Sequence, residues 1–142
     1  VMLEPRNDGF FVDLPGFERF LLRFHKENGK AVEAFCGGEV YSRGDGIPSS
    51  SLPPSSDLGA FVGHFRSSNS WLTNFRVVLR KGTLWMVQPS GEEQELVSLG
   101  DGLFRIGSDE RCPERVRFFA VVNGKAQRAG TLGQVYARTF TP

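Results

Sequence analysis

The sequence repeats itself, and the repeat constrains the fold more than any other feature of the chain. Asn28-Gly29-Lys30-Ala31 recurs as Asn123-Gly124-Lys125-Ala126, and Ala34, Gly38, Val40, Tyr41 and Arg43 recur as Ala129, Gly133, Val135, Tyr136 and Arg138. Nine of the 16 positions 28–43 are thus identical at a constant offset of 95, where ordinary residue frequencies give roughly one. Upstream the match drifts. Arg23-Phe24 aligns with Arg117-Phe118 one residue out of step, and Asp8-Gly9 and Phe11 align with Asp101-Gly102 and Phe104 two residues out of step. Changes in loop length account for such drift. The first copy starts near Leu3, at a point that corresponds to about Leu96 in the second. Residues 1–43 therefore read as a partial copy, the last four strands of a sibling unit, and 58–142 as a complete one. Between them, 44–57 is rich in Ser, Pro and Gly and reads as a linker, kept extended by Pro53-Pro54.

The repeated unit is built from strands. Asn74 to Arg80 alternates, with Phe75, Val77 and Leu79 on one face. Lys81-Gly82 turns the chain, and Thr83 to Gln88 returns with Leu84 and Met86 sharing a face. A short strand around Phe61, Gly63 and Phe65 precedes this hairpin. Glu95–Leu99 and Leu103–Ile106 flank Gly100-Asp101-Gly102. Arg115–Val122 and Lys125–Ala129 flank Asn123-Gly124, a strong hairpin signal, and Gln134–Phe140 is last. Eight strands with short connections form a meander, and closure removes its edges. The expected fold is all-β: an eight-stranded antiparallel up-and-down barrel preceded by a partial second copy. Phe17 to His25 has helical spacing, but its alignment with Arg115–Phe118 makes it a strand. The first copy is expected to supply Phe10–Asp13, Arg19–His25, Lys30–Phe35 and Glu39–Arg43. Thirteen Phe residues suit a small barrel, whether filled by its side chains or open to one small ligand.

Catalytic motifs are missing from the sequence. Arg23, Glu27, Val78 and Val122 stand three residues before the four lysines, so there is no Ser-x-x-Lys nucleophile. There is no Gly-x-Ser-x-Gly elbow, His-Glu-x-x-His or phosphate-binding loop. His25 and His64 read as structural or surface groups. Cys36 and Cys112 have no zinc spacing and read as free thiols, with one disulfide left open in an oxidising compartment. The run Glu92-Glu93-Gln94-Glu95 reads as a solvated turn, not a calcium loop. No catalytic, cofactor-binding or metal-ligating residue is assigned. A net charge of +1 argues against nucleic acid. Arg76, Arg80, Lys81, Arg115, Arg117 and Arg138 read as an outward barrel face. No stretch reaches the roughly 18 apolar residues of a membrane-spanning helix. Tyr41 and Tyr136, each two residues before an Arg, read as rings closing a barrel end. Trp71 and Trp85 are open between cavity lining and core or interface packing.

The second copy also resembles a known family. Phe61-x-Gly63-x-Phe65, Phe75-Arg76-Val77, Lys81-Gly82-Thr83-Leu84, Leu99-x-Asp101-Gly102-x-Phe104, Arg117-Phe118, Asn123-Gly124-Lys125-Ala126 and Tyr136-x-Arg138 resemble the small lipocalin-like barrel domains appended to serine β-lactamase-like hydrolases. The penicillin-binding-protein and D-aminopeptidase types are the relevant ones. The resemblance implies a non-catalytic accessory region that shapes substrate access or assembly, with a catalytic serine hydrolase domain as its partner in cis. The family's nucleophile motif is not in this chain, so no catalytic residue carries over. A lipocalin-like binder of a small hydrophobic ligand and a protein–protein interaction module are the alternatives. Unpaired strand edges in the partial copy favour a homodimer.

Overall fold

A computed structural model describes residues 1–44, 46–51 and 55–139. The chain is all-β with a closed barrel of eight antiparallel strands. The first copy supplies five strands: β1 (Leu3–Arg6), β2 (Gly9–Val12), β3 (Arg23–Glu27), β4 (Lys30–Cys36) and β5 (Glu39–Ser42). The barrel is β6 (Gly63–Arg66), β7 (Asn74–Arg80), β8 (Thr83–Val87), β9 (Glu93–Gly100), β10 (Leu103–Ile106), β11 (Arg115–Val122), β12 (Lys125–Thr131) and β13 (Gln134–Arg138). Sequence neighbours pair throughout, and β13 returns to β6 to close the cylinder. Phe17–Phe20 form turns and Arg23 opens β3, so the strand reading of this segment stands with a later start. The expected extension of the last strand to Phe140 and the Pro53-Pro54 pair lie outside the described residues.

The partial copy has one strand more than expected. β1 escapes a pattern reading because it is only four residues long, contains a Pro and is wholly exposed. Pro5 is tolerated there because β1 is an edge strand, paired only with β2 among the described strands. The first copy thus forms two small sheets, β1-β2 and β3-β4-β5, linked at one bridge by backbone bonds between Phe10 and Leu22 (2.9 and 2.8 Å); together they make up the half-barrel.

Register explains the drift of the repeat. Phe24 pairs with Ala34 and Ala34 with Tyr41, as Phe118 pairs with Ala129 and Ala129 with Tyr136. His25↔Glu33 and Lys26↔Ala31 correspond to Phe119↔Arg128 and Val121↔Ala126. Ala120 is therefore the extra residue of the second copy. It lies within β11, not in a loop, and has a left-handed φ of 55°, a conformation that costs about 1–2 kcal/mol outside glycine. The kink flips the alternation: Phe118 faces the barrel core, whereas Ala120 and Val122 turn outward to pack on Phe35 of β4. The other drift, between Phe11 and Arg23, does fall in a connection.

The barrel is filled by its own side chains. Phe61, Phe65, Phe75, Phe104, Phe118 and Tyr136 are all buried with Val77, Leu84, Met86, Leu96 and Val116 around them. The rings pack edge-on, stacked or tilted at centroid separations of 5.1–5.7 Å. Each buried ring contributes about 1.5–3 kcal/mol of transfer free energy. The Tyr136 hydroxyl donates to the Leu72 carbonyl at 2.8 Å, so the one polar atom on this ring is satisfied.

Arg138 corrects the outward reading made for it. Period two places it on the face of Tyr136, which points inward, and it is buried at the barrel end. Its Nε donates to the Ala126 carbonyl at 2.6 Å, Nη1 to Val62 at 2.8 Å and Nη2 to Ala60 at 3.1 Å. Its guanidinium lies over the Phe65 ring at 4.9 Å. Burial, with the nearby Arg23 cation, lowers its pKa to about 10, opposed by Asp8. The group thus remains charged at neutral pH. A 3-10 turn at Leu58–Ala60, capped by Asp57 through the Gly59 N–H, brings the accepting carbonyls into reach.

Candidate functional site

The half-barrel packs its back against the barrel wall. The β4 residues Val32, Glu33, Phe35 and Cys36 are buried, as are Arg23 and His25 of β3. Part of the segment read as a linker is built into the contact. Residues Ser49–Ser51 form a 3-10 turn beside β11. Glu33 accepts the Ser49 N–H at 2.8 Å, and Glu27 accepts the Ile47 N–H at 2.9 Å.

Where the two units meet, a groove of about 490 Å³ opens. Arg19 and Phe20 line one side, and Arg66, Ser67, Ser68, Arg128 and Gln134 the other. Arg128 is only 5% exposed. It donates to the carbonyls of Gln127 (3.0 Å) and Glu39 (3.2 Å) and lies 5.3 Å over the Phe35 ring. Burial pushes its pKa down, helped by the Arg23 cation and opposed by Glu39. Arg23 itself is paired with Asp8 at 2.9 Å. Among the described residues, no carboxylate lies within 4.0 Å of the Arg19, Arg66 or Arg128 guanidinium.

The other face of the half-barrel is open. Phe118, Ala129 and Tyr136 form a row in the core of the closed barrel. In the equivalent row of the first copy, Phe24 and Ala34 are half-buried and Tyr41 is exposed. Tyr41 is 60% exposed, whereas Tyr136 is fully buried. Tyr136 is thus part of the packed core and Tyr41 is on the open face, so the repeated tyrosine has different surroundings in the two copies.

Of the basic residues read as an outward barrel face, only Arg138 is buried. Arg80 is held by Glu93 in a two-point pair at 2.7 and 2.9 Å. Arg115 donates to the Cys112 and Glu114 carbonyls, Arg117 to that of Asp101, and Arg138 is internal. Glu93 begins a strand, so the acidic run is a turn only up to Glu92. Trp71 is exposed, and Trp85 lines a hollow of about 600 Å³ outside the barrel with Glu93 and Arg111. His64 Nε2 is 2.9 Å from Asn74 Oδ1, and buried His25 is 3.6 Å from Glu27. Cys36 and Cys112 are free thiols. Burial raises the Cys36 pKa, which makes its thiol a poor nucleophile at neutral pH.

Sequence reading missed the arginine groove. Arg19, Arg66 and Arg128 come from three distant segments with no shared spacing. One signal was present: Arg128 occupies the repeat position of Glu33, so the copies carry opposite charges at one buried, outward-facing site. Comparison of the chain with protein-family models, with curated proteins and with solved structures gave no match.

Proposed function

We propose that this chain is a non-catalytic accessory module of a serine β-lactamase-like hydrolase, lipocalin-like in form, which works through its outer surfaces and shapes substrate access or assembly. The observation that carries this reading is the contrast between Tyr41 and Tyr136. The open half-barrel presents a core-type row, Phe24-Ala34-Tyr41, in the register that the closed barrel covers with β6 to β8. Its occupant in this reading is a three-stranded segment of the β6–β8 pattern, contributed by the larger protein. Main-chain bonding at the edges and ring packing on the open row would seat it. The filled barrel weighs against the small-ligand alternative, because a ligand of that kind needs an interior cavity of a few hundred Å³.

The isolated chain is expected to resist labelling by a fluorophosphonate probe, while the product of the full reading frame labels at a Ser-x-x-Lys serine outside residues 1–142. Labelling of a serine within the chain, or a full product without such a serine, overturns the hydrolase assignment. The open face has its own test, since the chain contains two tyrosines. Tetranitromethane should nitrate Tyr41 at least tenfold faster than Tyr136, as mapped by peptide mass spectrometry, and Tyr41 should become protected in the full product. Protection of Tyr41 in the isolated chain that is lost on dilution would assign the face to a homodimer instead.

A further inference from the structure

We propose that the groove between the half-barrel and the barrel binds a small organic anion, gripping its carboxylate or phosphate group with Arg66 and Arg128 while Arg19 guards the mouth. This site is independent of the hydrolase assignment, since it depends only on how the two copies pack.

Three observations converge on it. The first is charge. The chain carries 17 basic and 16 acidic residues, so cations are not in general surplus. Yet three arginines line this one groove, and no carboxylate lies within 4.0 Å of their guanidiniums among the described residues. Two acidic groups on the adjoining segments are otherwise placed. Glu18 accepts the Gly16 N–H at 2.8 Å, and Glu39 acts on Arg128 from beyond ion-pair distance. The second is burial. A guanidinium withdrawn from water needs compensation, and Arg128 has two carbonyls and a ring but no counter-anion. An anion in the groove would supply it through charge-assisted hydrogen bonds, for which the planar guanidinium is suited.

The third is the remaining lining. Ser67 Oγ already accepts the Asn69 N–H at 3.0 Å, which leaves its own proton to donate into the groove. Ser68 and Gln134 add polar groups, and Phe20, Val135 and Ala137 add an apolar wall. A volume of about 490 Å³ suits a small molecule with an anionic head and a modest apolar body. Beside the groove, Ala120 and Val122 pack on Phe35, over whose ring Arg128 lies, and the Arg128 bond to the Glu39 carbonyl also ties the half-barrel to the wall there.

The test is a titration of 15N-labelled chain at constant ionic strength, with inorganic phosphate in one arm and N-acetylglycine in the other, against sodium chloride. Saturable shifts are expected at the amides of Ser67, Ser68, Val135 and Gly38. Saturation by phosphate alone assigns a phosphate-bearing ligand, by N-acetylglycine alone a carboxylate-bearing one, and by both a general oxyanion site; each supports the proposal. Arg66→Gln and Arg19→Gln, which remove no side-chain hydrogen bond among the described residues, should each weaken binding about three- to tenfold. Arg76→Gln, the same charge change on an exposed strand position, should leave it unchanged. Shifts that fail to saturate with both anions overturn the proposal. So does equal weakening by Arg76→Gln and by the two groove variants.

Discussion

Arg138→Met lowers the unfolding free energy by about 3 kcal/mol, because it strips three carbonyls of their donor at once. The Ala60, Val62 and Ala126 oxygens sit at the barrel end, and the guanidinium reaches all three at 2.6–3.1 Å. Removing it also relieves the cost of burying a cation, which keeps the net loss below the sum of three broken bonds. Urea denaturation followed by tryptophan fluorescence reads the effect as a midpoint lower by roughly 1 M or more. Arg138→Lys should recover only part of the loss, since an ammonium cannot span three acceptors in a plane. Arg76→Met, on the exposed face of β7, should change stability by less than about 0.5 kcal/mol. A loss from Arg138→Met no larger than that of Arg76→Met would remove Arg138 as the fastening of the barrel end.

Gly63→Ala is the second large effect, at about 2–4 kcal/mol. Gly63 has a φ of 155°, a backbone that L side chains rarely adopt, and a Cβ there would collide with the Arg138 guanidinium. The glycine is therefore the space in which Arg138 lies. The two changes must be coupled. In Gly63→Ala/Arg138→Met the collision is gone, and only the backbone strain and the lost hydrogen bonds remain. A double-mutant cycle should show the pair less costly than the sum of the single changes by at least about 1 kcal/mol. Strict additivity would mean that the glycine serves the backbone alone.

The barrel was legible because its signals are local. Asn123-Gly124 and Asn28-Gly29 adopt the left-handed pairs that a tight hairpin needs, and Phe75 and Val77 bury as their alternation requires. Arg138 was misread by residue type, although parity with Tyr136 assigned it to the interior. A buried cation is rare enough to defeat a rule of thumb. β1 was missed because an exposed edge strand has no burial to imprint a pattern. Ala120 was misattributed to a loop because an insertion within a strand and one in a turn shift an alignment equally. The arginine groove was hidden for another reason. Its residues meet only through the packing of one copy against the other, and no spacing along the chain records that contact.

The closing seam has a consequence for how the chain reaches this state. Among the described residues, every strand pair but one joins neighbours along the sequence, so those hairpins form over short loops. The seam joins Phe65 to Arg138 and Arg66 to Ala137, and these two register pairs bring the ends of the barrel sequence together. Closing so long a loop loses entropy before it gains contacts, which makes this pairing late and slow. Arg138, bonded to carbonyls on both sides of the seam, then acts mainly after the rate-limiting step. Its loss should appear as faster unfolding with nearly unchanged refolding. The closed cylinder would then be held shut kinetically, by a latch that engages only once the rest of the barrel has formed.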